Sequence, residues 1–121
     1  PDDAEAYQAR GVAYQNKGDV DRAIADYDEA IRLNPHYAVA YNNRGLAYIN
    51  KGDVDRAIAD YDEAIRLNPH YVVAYYNRGI AHINKGDVDR AIADYTEAIR
   101  LNPQYATAYY NRGAAYINKT D

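Results

Sequence analysis

Few side chains in this sequence are of the types that move protons, attack carbonyls or hold metals. Cysteine and serine are absent; the only hydroxyls besides tyrosine are Thr96, Thr107 and Thr120, and the three histidines are His36, His70 and His82. His36 and His70 occupy the same local sequence, Asn-Pro-His-Tyr, 34 residues apart, and Gln104 takes that place in the next copy. A metal site needs three or four converging ligands. No third ligand recurs with this pair, so it reads as a solvated turn. His82 reads as a core residue standing where tyrosine is expected. No nucleophile, base and orienting group form a catalytic set, and no glycine-rich loop is placed to cradle a phosphate. The 18 acidic residues recur at repeat-equivalent positions, whereas an active site breaks such symmetry. No enzyme activity, metal or cofactor is expected.

What organises the chain is repetition. Residues 17–37, KGDVDRAIADYDEAIRLNPHY, return letter for letter at 51–71, and return at 85–105 with two changes, Thr96 and Gln104. A constant 34-residue offset lies in the range of stacked helical repeats. Each period reads as two helices. Gly52-Asp53 separates them, with Asp53 as N-cap of the second. Val54, Ala57, Ile58, Tyr61, Ala64, Ile65 and Leu67 step by three or four, as one face of an amphipathic helix does. Asn68-Pro69 ends it, because the residue before proline is pushed out of the helical region. Helices are expected at about 4–17, 20–33, 38–51, 54–67, 72–85, 88–101 and 106–119, good to about three residues. Arg56/Asp60 and Asp62/Arg66 fall at i,i+4 and read as pairs on a solvated outer face. Gly45 and Ala57 are small where two helices should cross.

Composition excludes other classes. Net charge is −4, and Arg22, Arg56 and Arg90 sit among aspartates, which argues against a nucleic-acid surface. No apolar run approaches the roughly 20 residues of a membrane span. No signal segment opens the chain, and the lack of cysteine fits a reducing, cytoplasmic compartment. The chain begins without Met, as an excised or processed piece would. All 15 aromatic residues are tyrosine, which suits thin layers where each hydroxyl can reach a partner or water.

The residues Tyr41, Gly45, Tyr48, Ala57, Tyr61, Ala64 and Pro69 resemble the tetratricopeptide repeat pattern. So do Tyr7, Gly11, Tyr14, Ala23, Tyr27, Ala30 and Pro35. So do Tyr75, Gly79, His82, Ala91, Tyr95, Ala98 and Pro103, and the half repeat adds Tyr109, Gly113 and Tyr116. The resemblance implies an all-α solenoid of seven helices in one domain, 1–121. Its repeats would fall at about 4–37, 38–71 and 72–105, with a half repeat at 106–121. It implies a right-handed superhelix whose concave face, lined by the first helix of each repeat, binds protein or peptide. Near-identical copies point to recent duplication or to a designed, consensus-like array.

Family geometry places Gln8, Val12, Asn42, Leu46, Ile49, Asn50, Tyr76, Ile80, Ile83, Asn84, Tyr110 and Ile117 on that concave face. Gln15 and Val73 belong to it too. The face is apolar with an amide edge, suited to an extended peptide or a helix. Some family members clamp a peptide carboxylate with lysine, asparagine and arginine. Those places hold Gln8, Val12, Asn43, Val73 and Asn77 here, and without the cations the clamp reading fails. Asn43, Asn77 and Asn111, with Arg44, Arg78 and Arg112, read as structural. The last helix has no partner. Tyr109, Gly113, Ala114, Tyr116 and Ile117 are expected to leave a face open to self-association. The alternatives are a monomer whose last helix is its own cap, and a structural or designed module without a dedicated ligand.

Overall fold

A computed structural model of the chain describes residues 2–120. Among them are seven helices and no strand: α1 (Asp2–Asn16), α2 (Val20–Leu33), α3 (Ala38–Lys51), α4 (Val54–Leu67), α5 (Val72–Asn84), α6 (Val88–Leu101) and α7 (Ala106–Thr120). Every boundary lies within two residues of its expected place. None of these helices is long and apolar enough to cross a membrane.

Local chemistry accounts for the ends. The Oδ1 atoms of Asp19, Asp53 and Asp87 accept the backbone N–H of Arg22, Arg56 and Arg90, each at 3.3 Å. These caps satisfy donors that the first helical turn leaves free. Gly52 closes α3 with φ of 89°, a left-handed conformation that a side chain would strain. Asn34 and Asn68, each before a proline, leave the helical region with φ of −139°.

The chain divides into two compact units, Pro1–Asn68 and Pro69–Asp121. In the first, α1 packs on α2, α3 on α4, and α2 on α3. Its core gathers Ala23, Tyr27 and Ala47, with Val12, Tyr14, Val20 and Ile24 packed around them. In the second, α5 packs on α6 and α6 on α7. There Ala98, Ile99 and Ala108 are surrounded by Val72, Tyr75, Tyr76 and Tyr105.

One contact recurs in each hairpin. A Cβ built on Gly11, Gly45 or Gly79 would lie 2.6 Å from the ring of Tyr27, Tyr61 or Tyr95. Glycine is therefore what lets the second helix press its tyrosine onto the first. The three rings are buried, and burial pushes the Tyr27 and Tyr95 hydroxyls up to about 12. The Tyr27 hydroxyl donates to Gln15 Oε1 at 2.7 Å. The Tyr61 hydroxyl has no hydrogen-bond partner among the described residues, because Ile49 stands where the first repeat has Gln15.

His82 is buried, as expected for a stand-in for Tyr14 and Tyr48. Burial holds its pKa below the ordinary 6.5; Arg78 and Arg90 push the same way, and Asp94 and Asp87 oppose them. Below that value the unfolded chain takes up a proton that folded His82 resists, so stability falls as pH drops. His82→Tyr should remove this contribution. Urea midpoints at about pH 7.5 and about pH 5.5 bracket the histidine titration. The wild type should lose more stability across that interval than the variant; equal losses would contradict the assignment.

Candidate functional site

The face expected to bind a partner draws on α1 and α3 in one unit and on α5 and α7 in the other. On α1, Gln8 and Val12 are half-buried; on α3, Leu46 and Ile49 are half-buried and Asn50 is exposed. Val12 already packs against the Tyr27 cluster, and Gln15 is engaged by the Tyr27 hydroxyl. Asn42 departs from expectation. It is 3% exposed and lies on the side of α3 that carries Gly45, opposite the side that buries Ala40 and Ala47. The reason is helical phase: Asn42 and Gly45 are three apart and share a side, and that side faces Tyr61.

In the second unit Tyr76, also expected on the open face, is half-buried. Its ring stacks on Tyr105 with centroids 5.0 Å apart and tilts against Tyr95 at 5.9 Å. Its hydroxyl accepts from Asn111 Nδ2 at 2.9 Å. Ile80 and Ile83 remain available. With Asn111, Ala114 and Asn118 they line a cavity of about 250 Å³, which Tyr95 and Ala115 complete. Asn84 is exposed at the end of α5. Such a cavity accepts an apolar side chain, while asparagine amides at its wall both donate and accept. Asn111 thus has two roles, holding Tyr76 and lining the cavity. Its recurrence with Asn43 and Asn77 had pointed to the first alone.

Tyr109, Tyr110, Gly113, Ala114 and Ile117 line a second cavity, of about 340 Å³, on α7. Tyr110 and Ile117 are 79% and 66% exposed. Tyr116 is exposed as well, though it does not line that cavity. Among the described residues no cluster of His, Asp and Glu is placed to hold a metal ion.

The buried aspartates obey a longer rule than the expected i,i+4 pairs, and the exposed arginines a shorter one. Arg44 donates through Nε and Nη2 to both oxygens of Asp60, each at 2.8 Å, and through Nη1 to Asp28 at 2.8 Å. Asp60 is 5% exposed, so it is not on a solvated face with Arg56. Arg56 turns instead to Asp53 at 3.4 Å, and Arg66 pairs with Glu63. The Asp60 hydrogen bonds raise the Arg44 pKa further above its ordinary value. Burial pulls the Asp60 carboxyl up, and the same hydrogen bonds oppose that pull. Arg10 with Asp26, and Arg78 with Asp94, repeat the two-pronged geometry. The structural role expected of Arg44 and Arg78 is therefore an ion pair across each hairpin.

These paired helices, glycine–tyrosine contacts and Arg–Asp ion pairs recur with the 34-residue period. A family model described as "Tetratricopeptide repeat" matches residues 1–72, another with that description matches 60–93, and one described as "TPR repeat" matches 81–119. The chain belongs to the tetratricopeptide repeat family. Among solved structures it is similar to the first TPR of Spaghetti (RPAP3) bound to the HSP90 peptide SRMEEVD, at 26% identity and TM-score 0.97, covering 99% of this chain and 95% of that one. The Arabidopsis OM64 TPR domain shares 28% identity at TM-score 0.94, with 97% of each chain covered. MamA shares 31% identity at TM-score 0.93, over 97% of this chain and 68% of that one. A curated relative, an uncharacterized protein of Methanocaldococcus jannaschii, is 50% identical over 34 residues, which is 28% of this chain and 40% of the relative. The chain thus matches well under half the length of that relative.

Proposed function

We propose that the chain acts as a single repeat domain, a non-enzymatic protein-interaction scaffold that takes a peptide or partner segment along the faces of its first helices. The observation that carries this reading is the cavity between α5 and α7, where Ile80, Ile83 and Ala114 meet the amides of Asn111 and Asn118. It suits an apolar side chain of a peptide whose backbone meets the asparagines. Similarity to a TPR domain bound to an HSP90 peptide supports a peptide as the class of partner. The ligand would differ in charge from SRMEEVD. Gln8, Val12, Asn43, Val73 and Asn77 provide no cation for an acidic C-terminus, so a neutral, apolar segment is the better fit.

A displayed peptide library selected against the chain supplies the ligand for the test. Ala114→Arg fills the cavity from an exposed position on α7 and should weaken the selected peptides at least about tenfold, a loss of about 1.4 kcal/mol, with helicity unchanged. Undiminished binding would place the ligand elsewhere. The second reading, a repeat module with no dedicated ligand, rests on the letter-for-letter copies at 17–37 and 51–71. A selection that returns no peptide would favour it.

A further inference from the structure

The three socket tyrosines place the same hydroxyl in three different settings. The Tyr27 hydroxyl donates to Gln15 Oε1 at 2.7 Å, 12 residues back in the same hairpin. In the other two hairpins the residue at that spacing is Ile49 or Ile83, and neither can accept. The Tyr61 hydroxyl is sealed in without a partner among the described residues. Tyr95 is 2% exposed, and its ring forms part of the wall of the cavity between α5 and α7. Its hydroxyl has no hydrogen-bond partner among the described residues and, unlike that of Tyr61, is not sealed off. The cavity is the space it opens on.

That opening has a cause in the sequence. The cavity is enclosed by α5, α6 and α7, all within one unit. On α7 it is lined by Ala114, at the place where the earlier first helices carry Val12, Leu46 and Ile80. A small side chain there leaves room for one from outside. Burial pushes the Tyr95 hydroxyl up to about 12, so near neutral pH it keeps its proton and donates. No cation stands among the residues that line the cavity.

We propose that this cavity is a glutamine subsite, in which Tyr95 donates to the side-chain amide oxygen of a peptide glutamine as Tyr27 donates to Gln15. The inference rests on the peptide-binding reading above and narrows it to one side chain. Ile80, Ile83 and Ala114 enclose the methylenes of the glutamine, and the Asn118 amide at the wall can accept from its NH2 group. Leucine would fill the same space but bury the Tyr95 hydroxyl unpaired, as Tyr61 is. Glutamate could accept the hydroxyl proton, but it would bring a charge into a cavity with no cation to match it. The first hairpin therefore carries within itself the contact that the third one takes from a partner.

The probes are displayed-library peptides that bind the chain and are lost with Ala114→Arg. They should share a glutamine at one position. One of them, fluorescein-labelled and followed by anisotropy, should bind at least about tenfold more weakly when that glutamine is replaced by leucine or by glutamate. In the chain, Tyr95→Phe keeps the ring and drops the hydroxyl. It should weaken the glutamine peptide about tenfold and leave the leucine peptide unchanged or tighter. Ile83→Gln supplies the amide from within, as Gln15 does, and should weaken the glutamine peptide as well. A measurement without peptide checks the same contact: Ile83→Gln should lower the urea midpoint less in the Tyr95 chain than in the Tyr95→Phe chain. Equal losses in the two backgrounds would overturn the inference. So would cavity-dependent peptides without a shared glutamine, or a glutamine peptide indifferent to Tyr95→Phe; either leaves the peptide-binding reading standing. A selection that returns no peptide sensitive to Ala114→Arg would overturn both.

Discussion

Tyr61→Ala is expected to cost about 3–5 kcal/mol of stability. The ring is fully buried and lies where a Gly45 side chain would be, so truncation opens a void that the two backbones cannot close without losing their crossing distance. Folded domains have only about 5–15 kcal/mol to lose, and the variant should melt far below the wild type in circular dichroism. Tyr110→Ala is the control. It removes the same atoms from a residue 79% exposed and should stay within about 0.5 kcal/mol. Tyr61→Phe separates ring from hydroxyl. It keeps the packing and drops a hydroxyl with no partner among the described residues, so most of the stability should remain. Similar losses for Tyr61→Ala and Tyr110→Ala would refute the socket as the anchor of the hairpin.

Arg44→Ala should cost about 3 kcal/mol, because it strands Asp60 as a buried charge without its partner. The side chains of Arg44 and Asp60 are 20% and 7% exposed, so water cannot replace the lost hydrogen bonds easily. Arg44→Lys should recover little, since a point charge cannot reproduce the two-pronged grip. The double variant Arg44→Met/Asp60→Leu should recover most of the loss. That outcome would show that the cost lies in the unpaired charge more than in the attraction of the pair. Denaturation midpoints of the four proteins decide it; a double variant as unstable as Arg44→Ala would contradict the argument.

The groove and the last helix were legible to different degrees. Ile80, Ile83 and Ala114 do meet around one cavity, and Tyr109, Gly113, Ala114 and Ile117 around another. Asn42, expected on the open face by family position, is buried, while Tyr76 is half-buried, stacked on Tyr105 and tilted against Tyr95. A position on a helix gives direction only. How far a side chain reaches solvent depends on what stands opposite it, and for Tyr76 that is Tyr95 of α6, Tyr105 of the turn before α7 and Asn111 of α7.

The helices and their ends were determined by the sequence alone, because each depends on neighbours within a few residues. The period, the Asp53 cap, the turn at Gly52 and the Asn-Pro stops are all local. The destination of the charges was decided only in three dimensions. Asp60 has Arg56 four residues before it in the chain, but its carboxylate binds Arg44, 16 residues away. Burial makes that choice. An exposed i,i+4 pair contributes a few tenths of a kcal/mol, whereas a carboxylate inside the hairpin must be matched by a guanidinium there, and tertiary packing alone brings the two together.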